Sequence, residues 1–124
     1  MRGLMGDLSK NFSSSEFWCP CGKCERLVPK RTLIDLLQRM RFSYGKTMVV
    51  TSGVRCREHN ATVGGAPDSR HLPEHRDGAD IACPDGDTRY DLVRLALREG
   101  ATFVKLYPRH IHVDVRPSGR SLEF

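Results

Sequence analysis

A chain of 124 residues, 39% hydrophobic and 28% charged, has the composition of a folded domain with one core rather than of a disordered segment. No apolar run approaches the roughly 18 residues of a membrane span, and the opening Met1-Arg-Gly-Leu-Met-Gly-Asp-Leu-Ser-Lys10 has neither the apolar centre nor the cleavage pattern of a secretory signal. The net charge of +5 comes from dispersed basic residues with no interleaved aromatics, which reads as solvated surface and not as a nucleic-acid tract.

These exclusions set the first expectations: a protein made in the cytoplasm, with no nucleic-acid or membrane partner, whose passage outward would need some other route; a monomer is expected besides, though nothing in the composition speaks to it. The five cysteines are an odd number, which argues against a pure disulfide framework, and synthesis in the cytoplasm favours thiols.

The first seven residues read as a loose lead-in and the last eight, Pro117 to Phe124, as a tail. Ser13-Ser-Ser-Glu16 has the form of a capping box opening a short helix, with apolar Phe17 and Trp18 behind it. Cys19-Pro-Cys-Gly-Lys-Cys24 is a tight turn. Pro29 suits the start of a helix; Leu33, Ile34, Leu36, Leu37 and Met40 then recur at helical spacing, and Gly45 ends the element. Thr47 to Thr51 reads as a buried strand, and Arg55 to Ala61 as a short helix after a turn at Gly53. Val63 to Ser69 is loop by composition.

Ala79 to Ala82 is short and apolar, a strand. Asp87 is placed to cap a second main helix with Leu92, Val93, Leu95 and Ala96 on its core face and Gly100 at its end. Thr102 to Leu106 and Ile111 to Val115 read as strands joined by a hairpin at Tyr107-Pro-Arg-His110. With no internal repeat and no linker, the pattern predicts a single α+β domain: a small, mainly antiparallel sheet with two main helices.

The chemistry concentrates in two stretches. Ser69-Arg-His-Leu-Pro-Glu-His-Arg-Asp-Gly-Ala-Asp-Ile81 holds His71, His75, Asp77 and Asp80. His110, His112 and Asp114 alternate along a strand and so share one face. A hydrolytic zinc site needs three protein ligands and one open position. His71, Asp80 and His112 supply such a set, with His75 and His110 as substitutes, and Asp114 is placed to orient a ligand from behind. Taken singly, a loop histidine and a polar strand face are more often plain surface. Cys19, Cys21 and Cys24, with Cys56, form a candidate second, structural zinc site; disulfides or buried thiols are the alternatives.

Several segments occur in a telling order: Thr51-Ser-Gly-Val-Arg-Cys-Arg-Glu-His-Asn60, Gly64-Gly-Ala-Pro-Asp-Ser-Arg-His-Leu72, Gly78-Ala-Asp-Ile81, Phe103-Val-Lys-Leu-Tyr-Pro108 and His112-Val-Asp-Val-Arg116. The series, spanning about Leu8 to Arg116, resembles the zinc D-alanyl-D-alanine carboxypeptidase family, which shares its fold with the hedgehog signalling domain. Within that family the series is similar to small phage-borne and bacterial peptidoglycan peptidases of the endolysin type.

The resemblance implies a zinc metallopeptidase that cuts an amide in peptidoglycan stem peptides, by D-Ala-D-Ala carboxypeptidase or L-Ala-D-Glu-type endopeptidase action. It implies zinc ligation by His71, Asp80 and His112, substrate binding by Arg55 with Ser69 nearby, and delivery to the cell wall by phage-type release or within a virion. Two departures stand out. The stretch from His71 to Asp80 is longer than the family's usual interval, so that His75 or Asp77 could intrude. Arg109 also stands where many relatives carry a general base, a role a guanidinium cannot fill; His110 and Asp114 are the candidates in its place. That substitution supports a rival expectation of a zinc- or wall-binding module with weak or no catalysis, or of a virion component.

Overall fold

In a computed structural model of the chain, residues 6–117 and 121–124 are described. They form a 3-10 turn, Ser14–Phe17, three helices, α1 (Arg31–Tyr44), α2 (Arg57–Thr62) and α3 (Gly86–Glu99), and five strands: β1 (Val50–Ser52), β2 (Gly78–Ala82), β3 (Phe103–Leu106), β4 (His110–Asp114) and β5 (Ser121–Glu123). Most of the expected lead-in, residues 1–5, lies outside the described residues.

The helices follow their apolar spacing. Leu33, Ile34, Leu36, Leu37 and Met40 are the buried face of α1, and Leu92, Leu95 and Ala96 that of α3, with Val93 half-buried. Both end at left-handed glycines, Gly45 and Gly100. The starts differ from expectation. Pro29 lies ahead of α1, because Lys30 is extended and donates its N–H to the Arg76 carbonyl at 2.8 Å. The cap of α3 is Asp85, whose Oδ1 accepts from the Thr88 amide at 2.7 Å. Asp87 sits one step inside, in the first turn, where its charge still meets the positive end of the helix dipole. Arg55 precedes α2, which Cys56 caps. The expected helix at Ser13–Glu16 is the 3-10 turn, with the Ser13 amide donating to Glu16 Oε2 at 2.7 Å.

The sheet runs β1-β2-β4-β3-β5, antiparallel throughout except for parallel β3 and β5. The tail is therefore partly a strand: Ser121–Glu123 uses the open outer edge of β3, while residues 118–120 lie outside the described residues. The expected buried strand over Thr47–Thr51 is instead a three-residue edge strand with an irregular register, and Val49 is 54% exposed. Side chains alternate along the extended chain leading into it, so Met48 points into the core and its neighbour does not. The hairpin at Tyr107–His110 closes with the Tyr107 amide donating to the His110 carbonyl at 3.0 Å.

Ile81, Ile111, Val113 and Val104 pack with Leu36, Leu37, Met40, Leu92 and Ala96 in one apolar layer. Each large aliphatic side chain buried there contributes about 1.5–3 kcal/mol. Because side chains alternate along a strand, the same packing turns Asp80, His110, His112 and Asp114 to the opposite face. Asp80 pairs directly with His112 in the β2–β4 register. A slip of one residue would drive both into the apolar layer, so the core fixes the polar cluster.

Candidate metal centre

His71 is 1% exposed and held at both ends. Its amide donates to Ser69 Oγ at 3.2 Å, its carbonyl accepts from the Arg55 amide at 2.9 Å, and its ring Nδ1–H donates to the Gly53 carbonyl at 2.6 Å. That network assigns the tautomer, leaving Nε2 without a proton. His112 is arranged the other way round: Nε2–H donates to Asp114 Oδ2 at 2.7 Å, leaving Nδ1 bare.

The two bare nitrogens face each other at 3.2 Å, and Asp80 Oδ1 lies 3.1 Å from His71 Nε2 and 3.0 Å from His112 Nδ1. Three electron-rich atoms in a triangle this tight repel one another unless a positive charge sits among them. Zinc at about 2.0–2.1 Å from each of three tetrahedral ligands sets them about 3.3 Å apart, close to the observed triangle. The residues therefore fit the ion, and the triangle opens onto a cleft of about 740 Å³.

Behind it, Asp114 is 0% exposed and fully subscribed. Oδ1 accepts from the Arg116 amide at 3.1 Å and Nε at 2.9 Å; Oδ2 accepts from His112 and from Arg116 Nη2, both at 2.7 Å. Burial raises the Asp114 pKa, but His112 and Arg116 outweigh it and hold the carboxyl at about 2. Asp80 follows the same balance: burial raises its pKa, and His112 and His71 bring it well below the carboxylate range. Burial disfavours the charged form of His112, yet Asp114 and Asp80 raise its pKa above the ordinary value. Gly78 gives the ring its room: a Cβ there would lie 2.8 Å from His112 Cε1.

The peptidase M15 family matches residues 10–114. The chain belongs to the peptidase M15 family and is a zinc metallopeptidase. No curated protein matches it.

The other residues singled out in this M15 peptidase have distinct places. Arg55, Ser69 and His110 line the cleft. His110 Nε2 is 3.6 Å from Asp80 Oδ2, and its ring stacks on Tyr107 at 4.5 Å. Arg109 is exposed in the hairpin. The long His71–Asp80 stretch bulges away from the triangle. Arg76, at φ +50°, donates to the Pro73 and Val28 carbonyls, both at 3.1 Å, and Asp77 is held by Arg70 at 2.9 and 2.6 Å. The triangle consists of His71, Asp80 and His112, without His75 or Asp77.

Sequence reasoning gave no role to Arg116, which clamps Asp114 and lies 3.8 Å over the Phe103 ring, or to Arg70. Arg116 stands two residues after Asp114, the strand period, and that spacing was the available signal.

Cys19, Cys21, Cys24 and Cys56 also converge, with all four sulfurs within 4.8 Å of one another, while Cys83 is buried separately in the core. The Lys23 amide, chiefly, draws Cys21 down to about 6, and its hydrogen bond with Cys21 leads the effects that push Cys24 up to about 12.

Proposed function

We propose that this M15 peptidase hydrolyses an amide bond in a peptidoglycan stem peptide next to a free carboxylate, with His71, Asp80 and His112 holding the zinc ion. One observation carries the choice of substrate. Arg55 Nε is buried with no hydrogen-bond partner among the described residues, and the nearest carboxylate oxygen, Asp80 Oδ2, is 3.9 Å from Nη2, beyond hydrogen-bond reach. A buried donor left unmatched costs about 1–3 kcal/mol, which a ligand acceptor recovers. The planar guanidinium fork suits both oxygens of a carboxylate. The other two cleft arginines, Arg70 and Arg116, are already committed to Asp77 and Asp114. Stem peptides carry carboxylates on D-Glu and at the D-Ala terminus.

When bound, zinc supplies Lewis acidity to the scissile carbonyl and acidifies water. The chain does the rest. Arg55 anchors the carboxylate and so fixes which amide lies over the triangle. Ser69 Oγ, which accepts from the His71 amide, keeps its own proton to donate to the substrate backbone. His110, at the cleft wall, takes a proton at Nε2 from the attacking water and returns it to the departing amine. Asp114 cannot do this, because its four acceptor positions are filled. Its part is to orient His112. Arg109 leaves the base position to His110 by lying outside the cleft lining. In this reading the protein acts as a monomer on the wall, reached by phage-type lysis or in a virion.

The test is digestion of purified sacculi with and without a chelator, with product masses read out. Free D-Ala marks a carboxypeptidase, and shortened stems mark an endopeptidase. Intact sacculi with zinc restored would remove the stem peptide as the substrate.

A further inference from the structure

The cysteine cluster is remote from the reaction in role but adjacent to it in space. Cys19, Cys21 and Cys24 lie in the turn after the 3-10 element, and Cys56 caps α2. The Sγ–Sγ distances are 3.8 Å for Cys19–Cys56, 3.8 Å for Cys21–Cys56 and 3.4 Å for Cys21–Cys24. A disulfide requires about 2.05 Å, whereas zinc–sulfur bonds of about 2.3 Å in a tetrahedron separate neighbouring sulfurs by about 3.8 Å.

The backbone is arranged for sulfur carrying negative charge. The Lys23 amide donates to Cys21 Sγ at 3.3 Å, the His59 amide to Cys56 Sγ at 3.3 Å and the Cys56 amide to Cys19 Sγ at 3.4 Å. The first of these needs the turn at Gly22, whose φ of +72° is one that side-chain-bearing residues rarely adopt. Three amides aimed at three sulfurs, with no basic side chain hydrogen-bonded to the cluster among the described residues, suit sulfurs that turn their charge toward a cation held between them.

We propose that Cys19, Cys21, Cys24 and Cys56 bind a second zinc ion, closed to solvent chemistry, that fastens the N-terminal turn to the cleft wall. Four sulfur ligands complete a tetrahedron and leave no position for water or substrate, so the ion is structural. The fastening has a clear target. Val54 donates its amide to the Phe17 carbonyl at 2.8 Å, Arg55 follows it, and Cys56 is joined to Cys19. Arg55, His59 and Pro20 all line the cleft, so the ion would set the wall that carries the substrate-binding arginine.

The inference does not depend on the substrate reading, because its measurement is metal content. Native mass spectrometry of the full chain, purified under reducing conditions with zinc present, should show two zinc ions. His71→Ala should retain one, and Cys24→Ser should retain the other. With cobalt in place of zinc, the near-ultraviolet sulfur-to-cobalt charge-transfer band should persist in His71→Ala and be lost in Cys24→Ser. A single zinc ion in the wild-type chain, or a mass lower by two hydrogens for each of two disulfides, would overturn the proposal. The wild-type stoichiometry and cobalt spectrum decide the matter even if Cys24→Ser fails to fold.

Discussion

The imidazole–carboxylate triangle and the cysteine cluster gather ligands at similar separations but are built in opposite ways. Two of the triangle's three residues face each other across hydrogen-bonded strands, and the third is clamped by the Gly53 carbonyl and the Arg55 amide. Strand register and hydrogen bonds from the folded chain hold its shape, and one side is left open to the cleft. The cysteines sit in a turn and at a helix cap, outside the main apolar cluster, and their four sulfurs lie within 4.8 Å of one another. Where a core already supplies rigidity, ligands can be withheld to make room for a substrate. Where it does not, all the ligands are needed for structure.

The sharpest way to break this contrast is to remove a triangle ligand. His71→Ala should lower murein hydrolysis by more than about a thousandfold, since losing several kcal/mol of charge stabilisation costs a decade for each ~1.4 kcal/mol. Its circular-dichroism spectrum should stay folded; unchanged hydrolysis would remove the triangle from the mechanism. Next comes the supporting carboxylate: Asp114→Asn should weaken zinc affinity by about 10–100-fold in competition with a chromogenic chelator, as loss of an outer partner commonly does. Arg55→Ala should raise KM by about tenfold or more at similar kcat, from about 1.5–3 kcal/mol of charge-assisted bonding. Arg55→Lys should recover only part of that loss, because an ammonium lacks the fork. An unchanged KM would make Arg55 a loop fastener.

The smallest effect is on pH. In chelated protein the raised pKa of His112 adds stability that is complete below the ordinary imidazole value of about 6.5 and is lost as pH rises through the raised value. The lowered pKa values of Asp114 and Asp80 add stability above about 3.9 that is lost as pH falls toward their folded values. The chelated Tm should therefore peak between about pH 4 and about pH 6.5. Zinc requires unprotonated imidazoles, so the Tm gain on adding zinc should grow from about pH 6 to about pH 8. A gain that shrinks over that range would contradict the ligand assignment.

How much of this could be read from the chain divides along lines of local and non-local physics. Helical periodicity and glycine stops marked α1 and α3 to within a few residues, and strand alternation put His110, His112 and Asp114 on one face before any partner was known. The cap of α3 and the start of α1 were misplaced because competing acceptors, Asp85 and the Arg76 carbonyl, lie close by or far off in sequence. The tail strand was missed because its signal is the vacant edge of β3 rather than any pattern within Ser121–Glu123.

The sequence by itself determined which residue types were available for metal and substrate, since side-chain chemistry and strand period are local properties. Only the tertiary structure decided that Asp114 is saturated, that the long His71–Asp80 stretch bulges outward onto Val28, and that Arg55 keeps an unmatched buried donor. Each of these depends on which distant groups compete for the same hydrogen bonds, and that competition exists only once the chain is packed.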